Sequence, residues 1–284
     1  MKGGRTLFRR GKAPDPFSPP PPGVGLPASL DTPAFLVALA VGPGFLLLHV
    51  LYTLDRHERE PVGNVLRYVL NGALVGVLAG LVGHGLRSLP LGSGTLHPLM
   101  FGLWIFLGVA LLEEGAKRLG LELRIRRDPN VNEPFDWIVY SVAVALGFAT
   151  LENLLYVLPG GAGTGVVRAL TAVPAHALNG TLMGHRLALA ELEPERARRH
   201  RWLAVLEPTA WHGAYDTLAL GAARSAEAGS LVLAMFLMVG FVCLVPALWI
   251  VGVRRLRSLQ RVRPERLLPP LLYPTLWARR RGHR

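Results

Sequence analysis

Long apolar runs separated by short polar stretches dominate the chain. Seven of these runs have about the 20 apolar residues that a helix needs to cross a ~30 Å hydrocarbon layer. We expect the spans at Pro33–Thr53, Val62–Leu86, Leu99–Leu123, Phe135–Leu158, Val166–Leu189, Leu203–Gly221 and Leu231–Val253. Gly is frequent within them, which suits close helix packing in lipid. The pattern predicts an all-α fold, a polytopic integral membrane bundle of about seven transmembrane helices.

The regions on either side of these runs have a different composition. Residues 1–32 are basic and rich in Pro, and we expect them to be disordered because such a sequence cannot build a core. Residues 33–253 form the predicted membrane-embedded domain, and residues 254–284, with ten Arg, form a predicted Arg-rich cytoplasmic tail. We find no convincing internal repeat, so the sequence does not favour an inverted-repeat transporter.

The distribution of charge bears on partners and orientation. The chain has 284 residues, of which 18% are charged, and its net charge is +12. The basic residues lie beside the spans, which favours anionic lipid headgroups over nucleic acid as their partner. Arg collects after the third, fifth and seventh spans, and this predicts a cytoplasmic C-terminus and an external N-terminus. The basic residues of the N-terminal tail disagree with that orientation.

Four of the predicted spans carry polar side chains where lipid-facing residues are expected. A charge at the bilayer centre costs at least ~2.5 kcal/mol. Counting ~1.5 Å per residue from the basic or Trp-marked end of each span places these side chains near mid-membrane. They are Glu113, Glu114 and Lys117 in the third span, Glu152 and Asn153 in the fourth, His176 and Asn179 in the fifth, and His212 and Asp216 in the sixth. We therefore expect them to meet in one intramembrane site.

Structural interpretations compete with this one at each position. Glu113 and Lys117 have the favourable i,i+4 order for a helix-end ion pair. His176 and His212 are open to interpretation as packed, hydrogen-bonded histidines. Taken together these interpretations are less attractive, because polar residues of four different spans would then lie at a similar depth in the membrane only by chance.

The residue types point to peptide hydrolysis. A Glu/His pair can activate water as a general base and then protonate an amine leaving group. An Asn or a second His can donate a hydrogen bond to the developing oxyanion. The sequence has no H-E-x-x-H motif of zinc proteases, no Ser in a G-x-S-x-G setting, and no G-x-G-D partner for Asp216. The cofactor stays open, as none or a divalent metal such as Zn²⁺, which Glu113, His176 and His212 would then hold.

Several of these motifs resemble those of the PrsW-type membrane proteases. The family carries E-E-x-x-K, a D-G-I-x-Y segment that continues to G-F-A-x-x-E-N-x-x-Y, a membrane His eight residues after an Arg, and a late H-G-x-Y-D. The matching positions are Glu113, Glu114 and Lys117; Asp136 to Ile138 and Gly147 to Tyr156; Arg168 and His176; and His212 to Asp216. The resemblance covers about Ala40 to Arg255. Trp137 and Ser141 depart from it, since the family usually has Gly at both positions.

The resemblance implies a catalytic set and a biological role. The family is more distantly similar to the CAAX-processing (Abi) peptidases, whose chemistry is glutamate-based. By that similarity Glu113 is the general base and Glu114 supports it, while His176 and His212 orient water or stabilise the oxyanion. Glu152 and Asn153 complete the catalytic set, with Lys117, Asn179 and Asp216 in supporting roles.

The same resemblance implies a multi-pass protein of the bacterial inner membrane that cleaves a single-pass membrane protein. The expected substrate is an anti-sigma factor, cut at site 1 in envelope stress signalling. The alternatives are a CAAX-type peptidase, a proton-coupled transporter whose relay uses the buried acids and histidines, and a non-catalytic membrane adaptor.

Overall fold

The computed structural model describes residues 30–55, 59–87 and 98–262. Within these ranges the secondary structure is helical and contains no β-strand, so the predicted all-α class is confirmed. Most of the predicted N-terminal tail, and the Arg-rich tail beyond Val262, lie outside the described residues.

Seven helical segments make up most of the described part of the chain, and the helical geometry of one of them changes in its middle. The third, α3, contains a wider π-helical stretch in its middle, and a short 3₁₀ turn at Pro194–Arg196 precedes the sixth. The segments are α1 (Pro33–Leu54), α2 (Val62–Arg87), α3 (Pro98–Trp104, Ile105–Ala110 and Leu111–Ile125), α4 (Asp136–Leu170), α5 (Ala172–Leu192), α6 (Ala197–Glu227) and α7 (Leu231–Gln260).

Five stretches of the described residues are long and apolar enough to cross a membrane. One of them, Asp136–Leu192, contains both α4 and α5, whereas α6 is too polar to qualify. The prediction of about seven spans is therefore approximate, whereas the prediction of a helical membrane bundle is confirmed. Large apolar side chains are exposed along the outer faces of α1, α2 and α7, which is the arrangement expected of helices that face lipid.

The first half of α4 forms the centre of the bundle. Every residue from Asp136 to Ala149 is buried, and α4 packs against α1, α2 and α5. Glycines allow the closest of these contacts. A Cβ added to Gly72 of α2 would lie 2.0 Å from the carbonyl oxygen of Val144, and one added to Gly147 would lie 2.0 Å from that of Val69. Backbones that approach this closely leave no room for a side chain, so these two positions require Gly.

The chain reverses direction at a single residue, Gly161. Its φ of 75° and ψ of −178° belong to a region that is essentially restricted to Gly. The chains before and after it pack against each other, since a Cβ on Gly184 would lie 2.4 Å from the carbonyl oxygen of Trp137. This reversal lies between the fourth and fifth predicted spans, which left residues 159–165 as their connection. The helical structure extends further than predicted, through residues 162–170, because a reversal at one glycine needs no loop.

A buried polar network joins α2, α4 and the connection between α3 and α4. Asn64 donates to Asp128 Oδ2 over 2.7 Å and to the Tyr140 hydroxyl over 2.8 Å. The Tyr68 hydroxyl donates to the same oxygen of Asp128, and its ring stacks on Tyr140 with centroids 4.1 Å apart. The Tyr140 hydroxyl in turn donates to Glu60, which lies just before α2 and is buried. The network ties the connection between α1 and α2 to the central helix.

Burial raises the pKa of Glu60 from 4.5 to about 7, because the low-dielectric surroundings disfavour its charged form. The hydrogen bond from Tyr140 opposes this shift, whereas the negative charges of Asp128 and Asp55 add to it. The folded protein thus holds a proton on Glu60 at a pH where the unfolded chain has released it.

This difference predicts how stability depends on pH. A carboxyl group whose pKa is higher in the folded state stabilises the fold at low pH, and that contribution is lost as the pH rises from about 4.5 to about 7. Glu60→Gln removes the titrating group, so we expect the midpoint of thermal unfolding to fall less between pH 5 and pH 8 than in the unchanged protein. Thermal unfolding in detergent micelles measures this, and Glu195→Gln, at an exposed position, is the control. An equal fall in both proteins would contradict the assignment.

Candidate active site

The structure brings together side chains from the four helices in which polar residues were predicted to meet. The last part of α3 carries Glu113, Glu114 and Lys117, α4 carries Glu152, α5 carries His176, and α6 carries His212 and Asp216. The rings of His176 and His212 lie edge to face, with centroids 5.5 Å apart and an interplanar angle of 80°.

A glycine next to His212 allows α3 and α6 to close on each other. A Cβ added to Gly213 would lie 2.6 Å from the ring of Phe106. Phe106 lies in the π-helical stretch of α3, one to two turns before Glu113. A larger residue at position 213 would separate the helix that carries the glutamates from the helix that carries His212.

Lys117 is the buried cation of the site. Its Nζ lies 2.6 Å from Glu114 Oε1 and 3.0 Å from His176 Nδ1, and it sits 4.6 Å from the centre of the Phe148 ring. The lysine and Glu114 side chains are 1% and 0% exposed, respectively. An ammonium group only donates, so Nδ1 of His176 accepts and its Nε2 carries the proton. The ion pair is Glu114–Lys117, three residues apart, and the Glu113–Lys117 pairing considered from the sequence is wrong.

His176 connects Lys117 to a second carboxylate. Its Nε2 lies 2.8 Å from Glu152 Oε2, and Arg168 Nη2 lies 3.2 Å from Glu152 Oε1. The Arg168 guanidinium also lies 4.4 Å from the centre of the Tyr156 ring. Arg168 was matched to the family motif from the sequence but was not assigned to the site. The feature that could have identified it is its position eight residues before His176, because the reversal at Gly161 brings Arg168 back beside Glu152.

His212 has two different neighbours on its two ring nitrogens. Nδ1 lies 2.8 Å from Glu114 Oε1 and donates to that carboxylate. Nε2 lies 3.3 Å from Asp216 Oδ2 and 3.7 Å from Glu113 Oε2. Because the bond to Glu114 holds one nitrogen, Nε2 is the atom through which His212 can exchange a proton with a substrate or a water molecule.

Glu113 differs from Glu114 although the two are adjacent. A separation of 3.7 Å from His212 is too long for a direct hydrogen bond. Glu113 Oε2 is buried and has no hydrogen-bond partner among the described residues. Polar groups at this separation are spaced to share a water molecule. The side chain of Glu113 is 18% exposed and those of Glu152 and Asp216 are each 21% exposed, in contrast to the fully buried Glu114.

The two asparagines occupy different positions. Asn153 accepts a hydrogen bond of 2.7 Å from Arg168 and donates one of 3.2 Å to the carbonyl oxygen of Ala40, so it ties α1 to the site. This placement suits a positioning role better than the catalytic one that the sequence suggested. Asn179 is buried on α5, and its Oδ1 has no hydrogen-bond partner in the part of the chain that the structure describes.

The donors fit a metal ion only in part. A histidine ligand needs a ring nitrogen with a free lone pair, yet His176 directs Nδ1 toward Lys117 and Nε2 toward Glu152. His212 fits better, because a carboxylate on one nitrogen is the usual support for a metal bound to the other. Across residues 30–55, 59–87 and 98–262, however, no three or more His, Cys, Asp or Glu side chains are arranged to hold a metal ion. The ligand set of Glu113, His176 and His212 is thus not assembled, and the arrangement does not fit a bound metal.

Comparison with known proteins gives several relatives that share one name. Protease PrsW of Geobacillus kaustophilus (strain HTA426) is 32% identical over 241 residues, which cover 83% of this chain and 97% of that protein. Protease PrsW of Bacillus subtilis (strain 168) is 34% identical over 183 residues, 64% of this chain and 81% of that protein. Protease PrsW of Clostridioides difficile (strain 630) is 30% identical over 187 residues, 64% of this chain and 77% of that protein.

The family as a whole matches the membrane domain. The model of the PrsW family intramembrane metalloprotease matches residues 60–249, a region that includes every member of the site described above. No solved structure matches the chain. The relatives and the family match agree, and the chain belongs to the PrsW family of intramembrane proteases.

Proposed function

We propose that this membrane peptidase hydrolyses a peptide bond with a water molecule activated between Glu113 and His212. The observation that carries the proposal is the separation of 3.7 Å between Glu113 Oε2 and His212 Nε2, across which no direct hydrogen bond forms. A water molecule there would lie within reach of a carboxylate base and of an imidazole. Both groups belong to a cluster of four carboxylates, two histidines, Lys117 and Arg168.

The chemical step follows from these positions. Glu113 accepts a proton from water as the water oxygen adds to the carbonyl carbon of the scissile bond. The carbonyl oxygen takes up the displaced electron pair, and protonated His212 donates a hydrogen bond to it from Nε2. Glu113 then delivers its proton to the amine nitrogen as the C–N bond breaks. The charge balance favours protonated His212, because the four carboxylates outnumber the two permanent cations and a net charge is costly in a buried site.

The remaining residues hold this pair in place. Glu114 binds His212 Nδ1 and so sets the orientation of its ring. Lys117 binds Glu114 and His176, which couples the two histidines. Glu152, held by His176 and Arg168, forms the opposite side of the site. By this assignment Glu114 and Lys117 are positioning residues, whereas Glu113 and His212 contact the reacting atoms.

The family description names a metalloprotease, and the residues of this chain bear on that description. Both ring nitrogens of His176 already have partners, so a metal ion could bind this histidine only by displacing Lys117 or Glu152. We therefore derive no catalytic step through a metal ion.

The proposed substrate is a single-pass membrane protein, and within that class an anti-sigma factor of the envelope stress response. The proposal rests on the resemblance of the motifs to the PrsW proteases and on a site that lies among membrane helices. We place the protein in the bacterial inner membrane with its C-terminus in the cytoplasm, where the Arg-rich end of α7 would meet anionic headgroups.

Membership of a protease family favours a peptidase over the transporter and adaptor alternatives. A CAAX-type peptidase would use the same glutamates and histidines on a prenylated substrate. The two substrate classes are separated by offering both to the same preparation.

The direct test is cleavage after co-reconstitution with single-pass anti-sigma factors of the same genome, with a prenylated CAAX peptide in parallel. We expect cleavage of an anti-sigma factor, and a loss of at least about 100-fold in Glu113→Gln, because general-base catalysis contributes roughly 10²–10⁴. Mass spectrometry of the fragments locates the bond. Glu122→Gln is the matched control, since Glu122 lies on the same helix but pairs with Arg118 and Arg126. Full activity in Glu113→Gln would contradict the assignment, and cleavage of the prenylated peptide alone would replace the substrate.

Substitution of Glu114 should lower the thermal stability much more than substitution of Glu113. Glu114→Gln leaves the buried Lys117 ammonium without its carboxylate, and breaking a buried ion pair costs roughly 3–5 kcal/mol. We expect a clear fall in the midpoint of thermal unfolding for Glu114→Gln and little change for Glu113→Gln. The double variant Glu114→Gln/Lys117→Met should regain much of the stability without regaining activity. A stable Glu114→Gln protein would show that this ion pair does not hold the site.

Removal of metal ions tests the fit of the donor set. Because His176 is held by Lys117 and Glu152, we expect cleavage to persist after dialysis against a strong chelator. Metal analysis of the purified protein before and after dialysis provides the second reading. Loss of activity with restoration by stoichiometric Zn²⁺ would show that the histidines rearrange around a metal.

A further inference from the structure

A groove separate from the active site runs along the outside of the bundle. It lies between α1 and α7, has a volume of about 380 Å³, and has α5 as its floor. Pro174, Ala177 and Thr181 of α5 form part of the floor, and the walls include Leu47 on α1 and Val253 on α7. The lining is almost entirely apolar, and the floor belongs to the two turns of α5 that also carry His176.

One end of the groove is cationic. Arg257 and Gln260 line that end, and Gln260 donates a hydrogen bond of 2.8 Å to the carbonyl oxygen of Leu54, so the two walls are joined there. An adjoining cavity of about 310 Å³ is lined by Trp249, Arg254 and Arg257. Both arginines are exposed, and neither forms an ion pair within the described residues, in contrast to Arg255, which pairs with Glu207.

The charge at the end of the groove decides between two possible occupants, a lipid molecule and a transmembrane helix. A single acyl chain is slender enough for a groove of about 380 Å³. Two arginines without acidic partners at its end complement a phosphate group. Basic pockets of this kind between transmembrane helices favour anionic lipid headgroups.

We propose that the groove between α1, α5 and α7 binds one anionic phospholipid, with an acyl chain along α5 and its phosphate at Arg254 and Arg257. None of the residues that line this groove belongs to the active site, and the proposal does not depend on the proposed function. Its occupant would fill the space between two helices, α1 and α7, that make few contacts with each other. A bound lipid would therefore support α5 from the membrane side.

Trp249 provides a local probe of the site, because it borders both cavities. The full chain is placed in nanodiscs of phosphatidylcholine that contain increasing fractions of phosphatidylglycerol with brominated acyl chains. Brominated phosphatidylcholine serves as the comparison lipid. The chain has six Trp, so the signal of Trp249 is taken as the difference between the unchanged protein and Trp249→Phe.

We expect brominated phosphatidylglycerol to quench Trp249 at about tenfold lower mole fraction than brominated phosphatidylcholine, and Arg254→Gln/Arg257→Gln to abolish this preference. The matched control is Arg198→Gln/Arg199→Gln, which removes the same charge at two exposed positions of α6 and should keep the preference. Gel filtration verifies that each variant is folded. Equal quenching by the two lipids in the unchanged protein would overturn the proposal. So would a preference that survives in Arg254→Gln/Arg257→Gln, or displacement of either lipid by a single-pass helix without regard to headgroup.

Discussion

The buried ammonium group of Lys117 is the interaction on which the rest of the site depends. It cannot stay charged in a low-dielectric interior without a carboxylate, and Glu114 provides one at 2.6 Å. Since an ammonium group only donates, its second bond makes Nδ1 of His176 an acceptor and fixes the proton on Nε2. The same Glu114 oxygen receives the Nδ1–H of His212. One cation thus determines the ring orientation of both histidines, from two different helices.

Such short contacts require helices that approach closely, and glycine provides the approach. Gly72 and Gly147 bring α2 and α4 within backbone contact, while Gly213 lets Phe106 pack beside His212. Hydrophobic attraction between helices is weak in lipid, so packing of this kind contributes a large part of the association. The glycines and the ion pair are therefore interdependent: without close packing the carboxylates would not reach the histidines, and without the ion pair the charges would be too costly to bury.

The sequence was sufficient to predict that glutamates and histidines of four helices meet, because charge is rare and costly in apolar spans. It was insufficient to choose partners. Periodicity favours Glu113 and Glu114 equally as the neighbour of Lys117, and packing against α6 decided for Glu114. The reversal between the fourth and fifth spans was expected, but its form was not. A single residue in the left-handed region leaves no polar loop in the pattern, so periodicity gave no sign that Arg168 returns to Glu152.

Exposure separates the roles of the acidic residues more clearly than their chemistry does. Hydrolysis requires that one water molecule reach a carboxylate, whereas a positioning carboxylate functions best when water cannot compete for its partner. Glu113, at 18% exposed, satisfies the first condition, and Glu114, at 0%, satisfies the second. Two adjacent glutamates on one helix point about 100° apart, so a single E-E pair supplies both environments. Under the proposed mechanism one glutamate of the pair is the base and the other a positioning residue, so we expect that neither can replace the other.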